Sequence, residues 1–153
     1  MKRDANLIPL SRQHFRALVL CMRIHRKRAV PSVLRQEMLD LYAQDVRSHF
    51  QAEERFLFPA ARRIAKPLVR ELLGEHARLR RAFSAARRRT PRSEELTRFA
   101  GLLEAHIRKE ERRLFEECQK QMPEKELAGI GKSMERYFQK CGGTAAAACK
   151  LSP

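Results

Sequence analysis

Apolar residues along most of the chain recur every three or four positions, which is the period of an amphipathic α-helix. No segment of useful length alternates between apolar and polar residues as a half-buried strand does. Prolines interrupt the helical pattern and mark breaks between its segments, because proline cannot donate a helix hydrogen bond. The pattern therefore predicts an all-α protein.

Five helices are predicted from the periodic segments and their end signals. The four long helices cover about residues 11–28, 32–58, 67–88 and 93–122, and a shorter fifth covers about 124–140. Ser11 is the expected N-cap of the first helix, Pro59 marks the end of the second or a kink in it, and Pro67 opens the third. Short connections between long helices indicate an up-down-up-down four-helix bundle with a short fifth C-terminal helix. We assign residues 1–141 to this bundle and residues 142–153 to a flexible tail.

One segment of the chain occurs twice. The segment His49-x-x-x-Glu53-Glu54-Arg55-x-Leu57-Phe58 matches His106-x-x-x-Glu110-Glu111-Arg112-x-Leu114-Phe115. Each copy is preceded by a helix that carries a His-x-Arg triplet, which begins at His14 in one case and at His76 in the other. The chain is therefore predicted to consist of two helical hairpins that carry the same set of polar residues.

The repeated polar residues lie on the apolar stripes of the predicted helices. They are four histidines and two glutamates: His14, His49, Glu53, His76, His106 and Glu110. Residues four apart share one helix face, and distances from the predicted turns place all six within about one to two helical turns of the same height. A single histidine on such a stripe is usually a hydrogen-bonded core residue. Buried carboxylates without cationic partners are costly, however, so two of them beside four histidines predict a dinuclear metal site, with iron favoured by the mixed nitrogen and oxygen donors.

This arrangement resembles the hemerythrin HHE cation-binding family, in its subgroup with the pattern H-HxxxE-H-HxxxE, over about residues 10–120. The resemblance implies two non-haem iron ions bridged by Glu53 and Glu110, with the four histidines as terminal ligands. Oxygen-carrying members have a further histidine four residues before His76, where this chain has Leu72. The resemblance is therefore closer to members linked to nitric oxide, peroxide or iron–sulfur repair chemistry. The expected function is to handle or sense a small ligand (oxygen, nitric oxide or peroxide) or to supply iron.

Other polar residues near the predicted site receive separate interpretations. Glu54 and Glu111 are expected on the flanks of their helices, either solvated or in salt bridges. Asp45, one turn before His49, could accept a hydrogen bond that orients a ligand imidazole, or it could be an ordinary hydrogen-bonded core aspartate. His25 is predicted to face inward, about 16 Å from the metal ligands, in a structural or access-lining role.

The chain has 33 Lys and Arg against 18 Asp and Glu, a formal net charge of +15. Eight basic residues cluster at the ends of the first and third predicted helices, which share one end of an antiparallel bundle. We call this cluster the basic pole: Arg23, Arg26, Lys27, Arg28, Arg87, Arg88, Arg89 and Arg92. Cations at helix C-termini complement the helix dipole. The competing interpretation is a basic helical module that binds nucleic acid or an acidic protein, with incidental histidines.

The sequence contains neither a long apolar segment nor a CxxC motif, and this bears on the location of the protein and on the roles of its thiols. Apolar runs such as residues 18–22 are far shorter than the ~20 residues of a membrane span, and the N-terminal residues lack the apolar segment of a signal peptide. We expect a cytoplasmic monomer without membrane contact. The four cysteines show no CxxC spacing. Cys21 is predicted to be a buried structural thiol, and Cys141 and Cys149 are assigned no role.

Overall fold

The computed structural model describes residues 2–27 and 29–142, and their regular secondary structure is entirely helical. The α-helices are α1 (Ile8–His25), α2 (Pro31–Leu41), α3 (Arg47–Ala52), α4 (Phe58–Arg88), α5 (Ser93–Lys109), α6 (Phe115–Gln121) and α7 (Glu124–Gly142). Three π-helical turns link some of them without a break: Tyr42–Val46, Glu53–Leu57 and Glu110–Leu114. The all-α prediction is confirmed for these residues. The predicted flexible tail, apart from Gly142, lies outside them.

The second and third predicted helices meet at a single non-helical residue. The helical rod that begins at Pro31 continues past Phe58 to residue 64, and Ala65 then leaves helical geometry with φ −136° and ψ 52°. Pro59 does not end the rod. It is the second residue after a π turn, where the backbone hydrogen-bond pattern already changes. The helix from residue 66 to Arg88 then matches the predicted third helix closely.

The first helix begins earlier than predicted. It starts at Ile8 with Leu7 at the N-cap position, and Pro9 lies in its first turn, where a missing N–H group is tolerated. The prediction of Ser11 as N-cap was therefore wrong, because the fully buried Leu7 and Leu10 extend the apolar stripe toward the N-terminus. The helix ends at His25, and Lys27 follows with a positive φ of 48°.

The buried apolar residues form two clusters, one on each side of the repeated polar residues. One cluster includes Cys21 and Phe83 and lies nearer the α1–α2 connection. The other includes Leu72 and Phe115, and α7 covers it with residues such as Leu127. The polar residues between the clusters are therefore closed off from solvent at both ends. No helix among residues 2–27 and 29–142 is long and apolar enough to cross a bilayer.

Several basic residues at the helix ends make contacts within the fold. Arg35 Nε donates to the carbonyl oxygen of Ala86 at 2.6 Å, near the C-terminal end of α4. Arg23 donates to both carboxylate oxygens of Glu37, at 2.9 and 2.7 Å. Arg89 and Glu95 form a similar pair. These contacts satisfy helix ends and neighbouring carboxylates, and Arg28 of the basic pole lies outside the described residues.

Candidate metal centre

All six predicted ligands lie together between the two apolar clusters, and none is more than 4% exposed. We call this group the polar layer: His14, His49, Glu53, His76, His106 and Glu110. The histidines come from α1, α3, α4 and α5, and each glutamate is the first residue of a π turn. The i, i+4 spacing within each repeat therefore places a histidine and a glutamate of the same rod in contact with one another.

The donor atoms of the polar layer form two groups that share both glutamates. In the first group, His14 Nε2 lies 3.0 Å from His49 Nε2 and 3.2 Å from Glu110 Oε2. In the second group, His76 Nε2 lies 3.4 Å from Glu53 Oε2, and His106 Nε2 lies 3.3 Å from Glu110 Oε1. Glu110 thus directs one carboxylate oxygen toward each group.

These separations fit donors gathered around metal ions. Nitrogen and oxygen donors bound at about 2.0–2.2 Å are roughly 3.0–3.5 Å apart at tetrahedral or octahedral angles. Both oxygens of Glu53, both of Glu110 and the Nε2 atoms of His76 and His106 are buried without a hydrogen-bond partner among the described residues. Unpaired buried polar atoms are costly. A pair of cations would satisfy all of them, so the residues present fit such a pair.

The other ring nitrogen of each histidine is held from outside the polar layer. The Nδ1 atoms pair with four side chains that we call the outer acceptors: Glu111 for His14 at 2.7 Å, Gln13 for His49 at 2.8 Å, Glu54 for His76 at 2.7 Å and Glu75 for His106 at 2.9 Å. When Nδ1–H donates to such an acceptor, the ring orientation is fixed and Nε2 is left to face the layer.

Two of the outer acceptors correct an expectation from the sequence. Glu54 and Glu111 were expected to be solvated or salt-bridged flank residues, outside the site. Each does form a salt bridge, to Arg80 at 2.7 Å and to Arg3 at 2.5 Å respectively. Each carboxylate nevertheless also holds a ligand histidine, because its helix packs beside the helix that carries that histidine.

The other two outer acceptors, Gln13 and Glu75, were missed by the sequence analysis. Each directly precedes a histidine of the polar layer in the chain, and each pairs with a histidine on the following rod. Glu75 is buried and also contacts Lys109. The signal was available in the sequence as a polar residue that occurs immediately before the histidine in both hairpins.

Asp45 fits the second of its two interpretations, a hydrogen-bonded core aspartate, whereas His25 does not have the environment expected of it. The Nδ1 atom of His49 pairs with Gln13 instead of Asp45, and the buried Asp45 carboxylate accepts from Arg16 of α1. Asp45 lies in the π turn directly before α3, the helix that carries His49. The inward-facing prediction for His25 was wrong: its side chain is 38% exposed beside Glu104, at the last residue of α1.

Burial and neighbouring charges act in opposite directions on the layer histidines. Burial lowers the pKa of His14, but the carboxylates of Glu110 and Glu111 outweigh it and raise the pKa to about 9. The pKa of His76 rises to about 9 for the same reason, with Glu53 and Glu54 as the carboxylates. Without metal, the layer therefore holds protons on these imidazoles up to alkaline pH.

A small cavity touches one side of the polar layer. Its volume is about 10 Å³, and His14, His49 and His106 line it together with Gln13, Asp45 and five apolar side chains. About 10–15 Å³ is the space that one water molecule requires. Asp45 also lines a larger surface pocket of about 210 Å³ that includes Arg16. The Arg16–Asp45 pair thus lies between this surface pocket and the layer.

The comparisons with known proteins agree with this geometry. A family model described as the hemerythrin HHE cation binding domain matches residues 10–118, a span that contains the whole polar layer. No curated protein and no solved structure matches the chain significantly.

Proposed function

The chain belongs to the hemerythrin HHE cation-binding domain family, and we propose that its polar layer holds two iron ions bridged by the carboxylates of Glu53 and Glu110. Membership of the family makes the chain a cation-binding protein. In the proposed site, His14 and His49 are terminal ligands of one iron, and His76 and His106 are terminal ligands of the other.

One observation carries this proposal: two glutamates are shared between two separate groups of histidine nitrogens. A single cation would leave half of the buried donors without a partner, whereas two cations use all of them. Mixed imidazole and carboxylate donors suit iron among the first-row metals. When bound, a pair of irons supplies redox chemistry toward small ligands such as oxygen, nitric oxide or peroxide.

The role of a small-ligand binder or sensor, or of an iron donor, is supported by what the chain does not contribute to the site. Leu72 lies one turn before His76, within an apolar cluster, and offers no donor. Each iron would receive two imidazoles and two shared carboxylates, fewer than the six donors of an octahedral ion. The small cavity beside His14 and His49 supports access by a molecule of about the size of water.

The proposed bundle runs up-down-up-down. The turn at Ala65 supports this arrangement, because it joins two long rods through one non-helical residue. The placement of all four histidines at one level, between the same two apolar clusters, also agrees with it.

Iron analysis of isosteric variants tests the proposal directly. Wild-type protein loaded anaerobically with Fe²⁺ should hold two irons per chain and, after oxidation, show the near-ultraviolet absorption of a bridged pair. Glu53→Gln and Glu110→Gln should each lose this absorption and at least one iron, because an amide cannot bridge as a carboxylate does. Glu135→Gln, at an exposed position on α7, is the control and should match the wild type. Full loading with an unchanged spectrum in both bridge variants would contradict the ligand assignment.

Binding of nucleic acid or an acidic protein at the basic pole stays a secondary proposal. The side chains of Arg87 and Arg88 are exposed at the end of α4, far along the helix from His76. Replacing both with Gln should lower the salt concentration at which the protein elutes from heparin and leave its iron content unchanged. Elution at the wild-type salt concentration would restrict these residues to stabilising the helix end.

A further inference from the structure

The two hairpins of the molecule hold their ligand histidines by equivalent contacts. In each hairpin, the residue just before the first histidine accepts a hydrogen bond from the second histidine. These pairs are Gln13 with His49 and Glu75 with His106. Across the hairpins, Glu54 holds His76 and Glu111 holds His14. The outer acceptors therefore follow an approximate internal twofold symmetry.

One position departs from this symmetry. Gln13 offers an amide oxygen where the other hairpin offers the carboxylate of Glu75. His49 is consequently the one histidine among the four that is held by a neutral acceptor. The first group of donors has one carboxylate acceptor, from Glu111, and the second group has two, from Glu54 and Glu75.

We propose that Gln13 and Glu75 make the two metal positions unequal. The position of His76 and His106 binds its ion first and more tightly, and the position of His14 and His49 binds the second ion more weakly. This inference rests on the proposed function, because it assumes that both positions take a metal. A carboxylate acceptor makes the imidazole a stronger donor to a metal than an amide acceptor does, and such outer contacts change metal affinity by about 10–100-fold.

Nearby Lys and Arg side chains reduce the difference in affinity between the two metal positions without removing it. Lys109 contacts Glu75 through Oε1, whereas His106 donates to Oε2, so the hydrogen bond that acts on the imidazole is intact. Arg3 likewise contacts Glu111 through the oxygen that His14 does not use, whereas Arg80 and His76 share Oε1 of Glu54. The distinction that these cations leave unchanged is the amide of Gln13 against the carboxylate of Glu75.

The position with the neutral acceptor is also the more accessible one. Gln13, His14 and His49 all line the small cavity, whereas only His106 of the other position does. The weakly held ion would therefore have both of its imidazoles at the cavity, where an incoming ligand would meet it, and would be the one most readily exchanged. The tightly held ion would have only one imidazole there.

Titration of the metal-free protein with Co²⁺, followed by its visible absorption and by calorimetry, tests this inference. Wild-type protein should show two binding steps. Glu75→Gln should weaken the tighter step by about 10–100-fold, and Gln13→Glu should tighten the weaker step. The control is Glu71→Gln, which alters a contact of Lys109 at 2.5 Å but touches no imidazole, and it should keep the wild-type steps.

Single-ligand variants assign the two steps to their positions. His49→Ala should retain the tight step, and His106→Ala should retain only the weak one, with far-ultraviolet circular dichroism to verify that both fold. Two equal steps in the wild type, or steps that neither Gln13→Glu nor Glu75→Gln moves, would overturn the asymmetry but not the dinuclear site. A wild-type protein that binds no Co²⁺ and no Fe²⁺ would refute the proposed function itself.

Discussion

The polar layer and the apolar clusters that flank it are equally buried but contribute oppositely to stability. In the clusters, side chains such as Phe83 and Leu79 fill space against other apolar groups, and burial itself stabilises the fold. In the layer, Glu53 and Glu110 are as fully buried, yet their oxygens have no hydrogen-bond partner. The comparison teaches that the clusters stabilise the fold by burial alone, whereas the layer contains buried donors that bound cations would satisfy.

Metal removal should give the largest change in the free energy of unfolding, because it leaves the buried donors of the layer without cations. An ion that binds the native state alone adds about 4 kcal/mol when its concentration is 1,000 times its Kd. Two ions would therefore raise the free energy of unfolding by about 8 kcal/mol under those conditions. Urea unfolding of the metal-loaded and metal-free protein would measure the difference. Equal unfolding midpoints would show that the layer needs no cations.

Truncation of a side chain in an apolar cluster should lower the stability of the fold and leave metal binding unchanged. Phe83→Ala should lower the free energy of unfolding by about 3–5 kcal/mol, because it leaves a cavity in a close-packed site. Metal stoichiometry in the folded variant should stay at the wild-type value. Elemental analysis beside the unfolding curve would check this, and a lost ion would mean that the cluster also positions the ligands.

Removal of an outer acceptor should have a smaller effect, confined to the layer. Glu54→Ala and Glu111→Ala should each weaken metal binding by about 10–100-fold, which corresponds to about 1.4–2.8 kcal/mol. Each frees a histidine ring to rotate but leaves the carboxylates of Glu53 and Glu110 in place. Competition with a chelator measures the affinity, and Glu135→Ala serves as the control. If the acceptor variants hold metal as tightly as the control, these carboxylates are only salt-bridge partners.

The smallest expected effect is a pH dependence of the stabilisation by metal. The pKa values of His14 and His76 in the metal-free fold are raised from 6.5 to about 9. The stability from their protonation is therefore fully present below about pH 6.5 and is lost as the pH rises to about 9. Metal binding needs the deprotonated nitrogens, so the gap in melting temperature between the two forms should widen over this range. A gap that narrows would contradict the protonation of these imidazoles.

Local geometry explains which parts of the site could be predicted from the sequence. The pairing of a histidine with a glutamate four residues later follows from helix geometry within one rod, and it identified His49, Glu53, His106 and Glu110. His14 and His76 were identified from the repeated His-x-Arg triplet and their place on apolar stripes. Contacts across rods were not predictable in this way. Whether His49 pairs with Asp45 or Gln13 depends on how α1 is rotated against α3, which sequence spacing does not determine. The displaced end of α1 likewise left His25 outside the core.

The π turns were also missed, although the sequence carries a signal for them. In the second rod, Glu53 lies four residues after His49, and both Leu57 and Phe58, four and five residues after Glu53, are buried. Leu114 and Phe115 follow Glu110 in the same way. Two adjacent inward-facing residues in an otherwise regular stripe are what one extra residue in a helical turn produces.

The π turns at Glu53–Leu57 and Glu110–Leu114 allow the chain to carry extra residues without changing how the bundle packs. Each turn holds one residue more than an α-helix of the same course, and the extra residue is absorbed before Phe58 or Phe115 returns to the core. A one-residue deletion inside either turn would thus restore an α-helix with both apolar clusters still in phase. Only the direction of the neighbouring glutamates would change. Insertions and deletions at these two places therefore give evolution, or a designer, a way to alter the metal chemistry without refolding the protein.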